Sequence, residues 1–505
     1  MRALFSVPFH EEVLSFAKSL IALGWEIIPT PNLCGHFNKA GIGYTDLNEF
    51  VSVTEQFPFP PTLHPRMERA LTTECPEKID LVYNITYDLC VGNDVGGHTL
   101  IGLAVKGGRA IACSVESMSS LLKALQTTGA IPAELLNRLT ATAVNKIAEH
   151  YLCVGRALEN TAVEGVSAIR AYNLPNGENP YQVPAALYAT ATEDALALHN
   201  FRSLGQDHGC FTNLADTDTV LHVFCLAACS FQKNFGKTPH IAIAAKHGNP
   251  CGMGVDWESP ERALEKALFG DPKAIWGGEC LVNFDIDAKR AKLLLESDRR
   301  QREHGSASWM LDVVAAPSFT DESVEMLRPR AFRRILENDA LRAPTLNTNV
   351  RHLRQVRGGF LAQPHADYLL EFESNECSDN LSQEDLATMI IAWAVSFGSF
   401  HGGNEVALAK NMALLSAGGG PSTDSAAKVA IDRATSNRHD PDGSLFCADA
   451  FFPFTDVPRQ LCEAGCKGGV VPGGGMNFQL VKEFFSDNSV VMKYLPPEVR
   501  GFYRH

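Results

Sequence analysis

Short apolar runs alternate along the N-terminal part of the chain with stretches in which apolar positions return every third or fourth residue. Ala3 to Val7 reads as a strand, Glu11 to Leu23 as an amphipathic helix and Trp25 to Pro29 as a second strand. Ile79 to Ile85 predicts another strand, Gly97 to Lys106 a helix and Ala110 to Ser114 a further strand. Strands alternating with helices imply a parallel sheet covered on both faces, which binds ligands beyond its strand ends. Pro132 to about Leu158 is helical in pattern, and the Pro-, Asn- and Gly-bearing segment Tyr172 to Pro184 breaks it. A domain boundary near residue 160 follows, separating 1–160 from 161–505.

The chemistry-bearing stretch of the second region is Ala245 to Val255, AKHGNPCGMGV. The apolar run His240 to Ala244 before it reads as a buried strand, so Lys246 and His247 sit where a strand ends and the chain turns. Asn249 and Pro250 favour the turn, and glycines at 252 and 254 allow close backbone approach. A Lys beside a His supplies a cation and a group that exchanges protons near neutral pH. The plainer alternative for the pair alone is a turn with a solvated lysine.

Composition narrows the class. At 505 residues, 45% hydrophobic and 20% charged, the chain is long enough for two or more globular cores. A formal charge of -14 argues against a nucleic-acid binder with a broad basic surface, while leaving local anion sites open. No signal-type start and no bilayer-length apolar run are read, so a cytoplasmic enzyme with no membrane partner is expected. The 14 cysteines are scattered, and those in apolar runs, such as Cys225 and Cys229, suit reduced buried thiols. Cys462 and Cys466 read as packing residues on a helix. Pro250-Cys251 opens the ligand pair of zinc deaminases, but Gly254 stands where the second Cys belongs, so no metal site is expected.

The heptapeptide KHGNPCG resembles the KHxNPCG signature of 5-aminoimidazole-4-carboxamide ribonucleotide (AICAR) transformylase. The N-terminal region is similar to the inosine monophosphate (IMP) cyclohydrolase domain of the same bifunctional purine biosynthesis family. That similarity runs through RALFSV, GWEII, AGIGYTDLNEF, Thr62-Leu63-His64-Pro65 and Asp94-Val95-Gly96-Gly97-His98-Thr99 with Lys106 beyond. If Gly97 to Lys106 is helical, Asp94 is equally well placed to cap it. Further blocks follow in family order: Gly177 to Gln182 with Asn179, Asp271 to Gly278 with Gly277, Val356 to Gln363, and Gly402 to Lys410 with Asn404. Cys447 to Phe454, Val471 to Gly475 and the ending Val499 to His505 complete the series.

The departures are as specific. Pro61 stands where the family has Lys before TLHP, and Pro29-Thr30-Pro31-Asn32-Leu33, read as a turn, replaces a glycine-rich phosphate loop. His10 or a neighbour replaces the Lys of the first strand-to-helix turn, and the family's Asn-Leu-Tyr-Pro becomes Asn84-Ile85-Thr86-Tyr87. Pro175-Asn176 replaces an Arg-Tyr pair, with Arg170 and Tyr172 nearby, and the Gln and Arg expected around Ser422 are gone. The glycines at 277 and 278 would let backbone approach a bound base, the plainer alternative being a strand-entry turn with Trp276 as a buried aromatic, and the charged run Glu296 to Glu303 is expected as a solvated helix end.

The resemblance implies an α/β protein. Its N-terminal three-layer parallel-sheet domain (methylglyoxal-synthase-like) would be followed by two cytidine-deaminase-like α/β halves, in a homodimer with transformylase sites shared between subunits. It implies transfer of a formyl group from 10-formyltetrahydrofolate, the cosubstrate, to the 5-amino group of AICAR, then ring closure to IMP. On that pattern Lys246, His247 and Asn404 are the catalytic candidates. His247 would be the base, Lys246 either the donor to the leaving folate nitrogen or a cation steadying charge, and Asn404 the oxyanion donor, with the split of proton transfer between Lys246 and His247 left open by the sequence. Gly277, Phe451, Pro453, Phe454, Arg500 and Asn179 are candidates for substrate binding, and Asp94, Lys106 and His64 for the cyclohydrolase. Other readings carried from the sequence are a formyltransferase for a different amine with an inactive cyclohydrolase domain, and a non-catalytic relative.

Overall fold

The structure, a computed structural model, describes residues 1–53, 61–87, 92–158, 163–190, 192–205, 207–329, 333–348, 351–372 and 381–503. The chain forms two compact units, Met1–Arg170 with Tyr188–Ala191, and Ala171–Leu187 with Thr192–His505. The boundary expected near residue 160 falls outside the described residues.

The first unit is built on a four-stranded parallel sheet of β1 (Arg2–Ser6), β2 (Glu26–Pro29), β3 (Leu81–Asn84) and β4 (Ala110–Ala112), in the order β2-β1-β3-β4. Successive side chains of a strand point to opposite faces, so both faces of β1 are apolar and both are covered. Ala3 and Phe5 pack with Phe16, Ala17 and Met118 on one side, whereas Leu4 packs with Leu100, Ile101 and Ala104 on the other. The segment Pro29 to Leu33 is not a turn. β2 ends at Pro29 and a helix, Pro31–Lys39, begins at once with proline in its first position, where the missing N–H costs nothing.

The second unit is organised by a mixed sheet of eleven strands. In chain order these are β5 (Arg202–Ser203), β6 (His240–Lys246), β7 (Asn249–Asp256), β8 (Gly278–Val282), β9 (Leu311–Ala316) and β10 (Arg334–Glu337). Then come β11 (Asn404–Lys410), β12 (Ala413–Gly420), β13 (Leu445–Ala448), β14 (Gly468–Pro472) and β15 (Val491–Leu495). Across the sheet they run β15-β14-β13-β11-β12-β7-β6-β8-β9-β10-β5.

The order of elements repeats. A long helix, Phe211–Phe235, precedes the antiparallel hairpin β6/β7, the helix Pro260–Leu268 and the strands β8, β9 and β10. A second long helix, Gln383–Gly398, precedes the hairpin β11/β12, the helix Thr423–Ser436 and the strands β13, β14 and β15. The halves join where β7 and β12 run antiparallel, with Gly254 opposite Ala413.

Both long helices cover one face of the sheet: Val223, Phe224 and Ala227 share a core with Ile391, Trp393, Ile243 and Ala407. The shorter helices cover the other face, Leu264 over Ala242 and Ala244, and Ala426 and Ala430 over Val406 and Leu408. Phe211–Phe235 is long and apolar enough to cross a membrane, contrary to the expectation of no such run. Its apolar stretch is mostly buried inside this unit, as in a core helix packed on all sides.

Candidate active site

The hairpin β6/β7 closes with Lys246 opposite Asn249 and only His247 and Gly248 between them. Both have left-handed backbone, φ 54° and 71°, which is the two-residue turn whose twist matches that of the strands. A histidine tolerates this conformation less well than asparagine or glycine, so the turn holds His247 exposed at some cost in strain. A Cβ at Gly248 would lie 3.1 Å from that of Thr219, which seats the turn on the first turns of the long helix Phe211–Phe235.

Lys246 is half-buried, and its Nζ donates to the carbonyl of Gly277 at 2.6 Å. Gly277 has φ 68°, and a Cβ there would approach Lys246 Nζ to 2.9 Å and Asp312 Oδ2 to 3.4 Å. Glycine therefore suits the backbone here, and a side chain would push the Lys246 ammonium aside. Beside this lysine lies a carboxylate group that the sequence reading passed over. Glu279, 1% exposed on β8, has its carboxyl pushed up to about 9 by burial and by Asp216 and Asp312, against the pull of Lys246. Burial and the neighbouring acids Asp216 and Asp312 thus favour the protonated form of Glu279.

A cavity of about 270 Å³ opens over this turn, lined by Lys246, His247, Asn249, Cys251, His401 and Arg433 among others. Asn249 Oδ1 accepts from the backbone N–H of Phe400 at 3.2 Å, tying the turn to the segment that leads into β11. Asn404 is the first residue of β11, opposite Gly420. The fold therefore brings the Lys246-His247 turn and the start of the Asn404 strand to one end of the paired hairpins. Cys251 points inward, its Sγ to Ala244 O at 3.4 Å, and burial raises its thiol far above the usual range.

His401, Glu405 and Asp449 form a buried cluster beside the cavity. His401 Nδ1 lies 2.6 Å from Glu405 Oε2, and the Glu405 N–H donates to Asp449 Oδ1 at 2.9 Å. Burial raises Glu405 while His401 opposes the rise. Asp449, fully buried and with Oδ2 unpartnered among the described residues, is pushed up to about 8 by burial, with Glu405 adding to the rise. The spacing of His401 and Glu405 and the aspartate of CADAFFPF were visible in the sequence. Their convergence depends on β11 pairing with β13.

The other candidates are more dispersed. Phe452 is core, packed with Phe446 and Phe485. Phe454 is 61% exposed, Pro453 is exposed, and the Arg500 guanidinium lies 5.0 Å from the Phe451 ring. Asn179 is exposed and hydrogen-bonds Gln182 Oε1 through its backbone N–H and its Nδ2. Tyr503 stacks on His222 at 4.1 Å in a second cavity of about 270 Å³, while Arg504 and His505 lie outside the described residues. Two local expectations are corrected. Trp276 is 53% exposed, the buried indole nearby being Trp309. Within Glu296 to Glu303, Arg300 is 6% exposed, bound to the carbonyls of Ser306 and Pro272, so the run is not wholly solvated.

In the first unit Asp94 caps the helix Val95–Lys106, its Oδ1 accepting from Gly97 N–H at 2.7 Å. Lys106 ends that helix and faces Glu68 at 3.5 Å. At 1.5 Å per residue, about 18 Å of helix separates Asp94 from Lys106, so the two cannot act on one bond. His64 caps the helix Pro65–Thr72, its Nδ1 accepting from Arg66 N–H. His10 is held between Glu12 at 3.0 Å and the Tyr83 hydroxyl at 2.9 Å.

The chain is 27% identical to the bifunctional purine biosynthesis protein PurH of Listeria monocytogenes, over 94% of both chains. It is 27% identical to PurH of Streptococcus pyogenes over 95% of both, and 26% identical to that of Oceanobacillus iheyensis over 99% of both. Among solved structures, the crystal structure of ForH aligns with 31% of this chain at a TM-score of 0.28 and 18% identity, too slight a likeness to bear on the fold. The profile of the AICARFT/IMPCHase bienzymes matches residues 109–433, more than half of the sequence, and the chain belongs to that family.

Proposed function

We propose that the second unit transfers the formyl group of 10-formyltetrahydrofolate to the 5-amino group of AICAR, as a cytoplasmic enzyme of purine biosynthesis working as a homodimer. The observation that carries this reading is the juxtaposition, at one end of the paired hairpins, of the Lys246-His247 turn and the start of the strand that opens with Asn404. An exocyclic amine conjugated to a carboxamide is a weak nucleophile, so its proton must leave as its bond to the formyl carbon forms. His247 takes that proton. Asn404 donates to the formyl oxygen as it gains charge, and Lys246 gives a proton to the folate nitrogen as the carbon–nitrogen bond breaks. Exposed Phe454, and Phe451 under Arg500, offer flat faces for a pterin or base, and Arg500 a clamp for an anionic oxygen.

A second reading, transfer to a different amine, is favoured by one observation: where the family has an Arg-Tyr pair, the Asn176 side chain donates to its neighbour Gly177 O and its backbone carbonyl accepts from Phe211 N–H, while Tyr172 is engaged in stacking on His208. Incubation with 10-formyltetrahydrofolate and a panel of amines, AICAR among them, separates the two. The proposal requires AICAR to be formylated fastest; faster formylation of another amine selects the second reading.

We further propose that the N-terminal domain, about residues 1–160, is a folded IMP cyclohydrolase relative with little or no ring-closing activity. Pro61 begins a short turn of 3-10 helix and offers no proton donor, and the candidate acid and cation occupy opposite ends of one helix.

A further inference from the structure

The repeat in the second unit extends to the hairpin turns. In the second half Lys410 faces Ala413 with only Asn411 and Met412 between them, and both have left-handed backbone, φ 53° and 58°. Lys410 thus occupies the place that Lys246 has in the first half, and Asn411 that of His247. A cavity of about 330 Å³ lies over this turn as the first lies over the other. Its wall includes the end of the helix Pro260–Leu268, where the first cavity has the end of Thr423–Ser436.

The lining is strongly basic for a chain of net charge -14. Lys266, Arg299, Lys410 and Arg438 face it against, among the described residues, a single lining carboxylate, Asp440. The two lysines are engaged in the cavity's frame. Lys266 Nζ donates to Val255 O at 2.8 Å, with Asp256 Oδ2 at 3.5 Å, and Lys410 Nζ donates to the carbonyls of Asp440 and Asp442.

The arginines are engaged less fully. The Arg299 guanidinium stacks 4.0 Å over the ring of Phe269 and uses Nε on Glu303, leaving its terminal nitrogens for other partners. Arg438 is exposed, in left-handed backbone, and has no ion pair among the described residues. It lies near the helix that carries Arg299: burial, then Arg438, holds the imidazole of His304 below its usual range. Two guanidinium groups converging on a cleft, one of them flattened against an aromatic ring, match the fork geometry that binds tetrahedral oxyanions.

We propose that this second cavity is a binding site for a small phosphate-bearing molecule, its phosphate held between Arg299 and Arg438 with Lys266 and Lys410 raising the local potential. The frame lysines fix the shape, and the arginines supply the contacts. A cleft of one sign focuses the field on an incoming anion even where the net charge is negative. The volume admits a free phosphate or a sugar phosphate.

The test is calorimetric titration of the full chain with inorganic phosphate and, separately, with ribose 5-phosphate. The wild type is compared with the double variant Arg299→Ala/Arg438→Ala and with Lys246→Ala, which alters only the first cavity. The proposal expects a saturable event that the double variant weakens by at least about tenfold, the scale of one lost charged hydrogen bond, and that Lys246→Ala leaves unchanged. Arg438→Ala alone, at an exposed residue outside any helix, is expected to show a loss of similar order and covers the case in which the double variant does not fold. Competition between the two ligands for that event identifies the phosphate as the shared group; tighter binding of ribose 5-phosphate then indicates a sugar phosphate, and equal binding indicates phosphate alone. Absence of saturable binding in the wild type, or unchanged affinity in the arginine variants, overturns the proposal.

Discussion

His247 combines an exposed imidazole with a backbone conformation that histidine does not favour, and the two properties can be pulled apart. His247→Asn creates an Asn-Gly pair, the preferred sequence for this turn. It should raise stability by about 1 kcal/mol, the order of the left-handed penalty, while lowering formyl transfer by at least about a hundredfold, the scale of a lost general base. Thermal melting and a transfer assay on the same preparation check both halves. Asn404→Ala should cost a similar factor in rate, as for an oxyanion donor, with little change in melting. Asp449 makes a prediction about pH. Its carboxyl ionises near 3.8 in an unfolded chain and at about 8 when folded, so the folded state holds a proton that the unfolded state has lost. That stability is fully present below the lower value and is lost as pH rises through the upper one. Asp449→Asn, which preserves the acceptor for Glu405 N–H, should give a shallower fall in melting temperature across that window and exceed the wild type above it. Parallel curves for the two proteins would show that Asp449 is not the titrating group.

At the scale of elements, the strand His240 to Ala244 and the turn after it were legible because an apolar run followed by Lys-His-Gly-Asn-Pro leaves few other conformations. The helix Val95–Lys106 was legible from its pattern, and Asp94 from capping chemistry. What stayed hidden is what depends on register and crossover. Glu279 interrupts the apolar run of β8 as any surface residue would, and only the packing of the helix Phe211–Phe235 brings Asp216 against it. Trp276 follows from the turn, which directs the indole outward and leaves Trp309 to fill the core beneath Phe269. The segment Pro29 to Leu33 reads as a turn because two prolines frame it, yet proline in a helix's first position begins a helix as readily. Gly277→Ala tests one of these close approaches. A Cβ would displace the Lys246 ammonium from a carbonyl 2.6 Å away in a backbone that disfavours alanine, so transfer should fall by about tenfold or more with a loss of roughly 1 kcal/mol in stability.

Taken whole, the second unit carries Lys246, His247 and Asn404 on a sheet whose two halves repeat one plan, whereas the first unit is built on a parallel sheet. Ring closure needs a cation or proton donor to help water leave and an anchor for the phosphate. Pro61 supplies neither, Asp94 caps a helix, and Lys106 faces Glu68 in an exposed pair. Formyl-AICAR offered to the protein should therefore close to IMP far below the roughly one per second of an ordinary slow enzyme, followed by absorbance. The central claim concerns the second unit, and the most direct measurement is the rate at which AICAR is formylated by 10-formyltetrahydrofolate with wild type and with His247→Ala. The account predicts steady turnover by the wild type and a loss of at least about a hundredfold in the variant; no transfer by the folded wild type, or equal rates from both proteins, would contradict it.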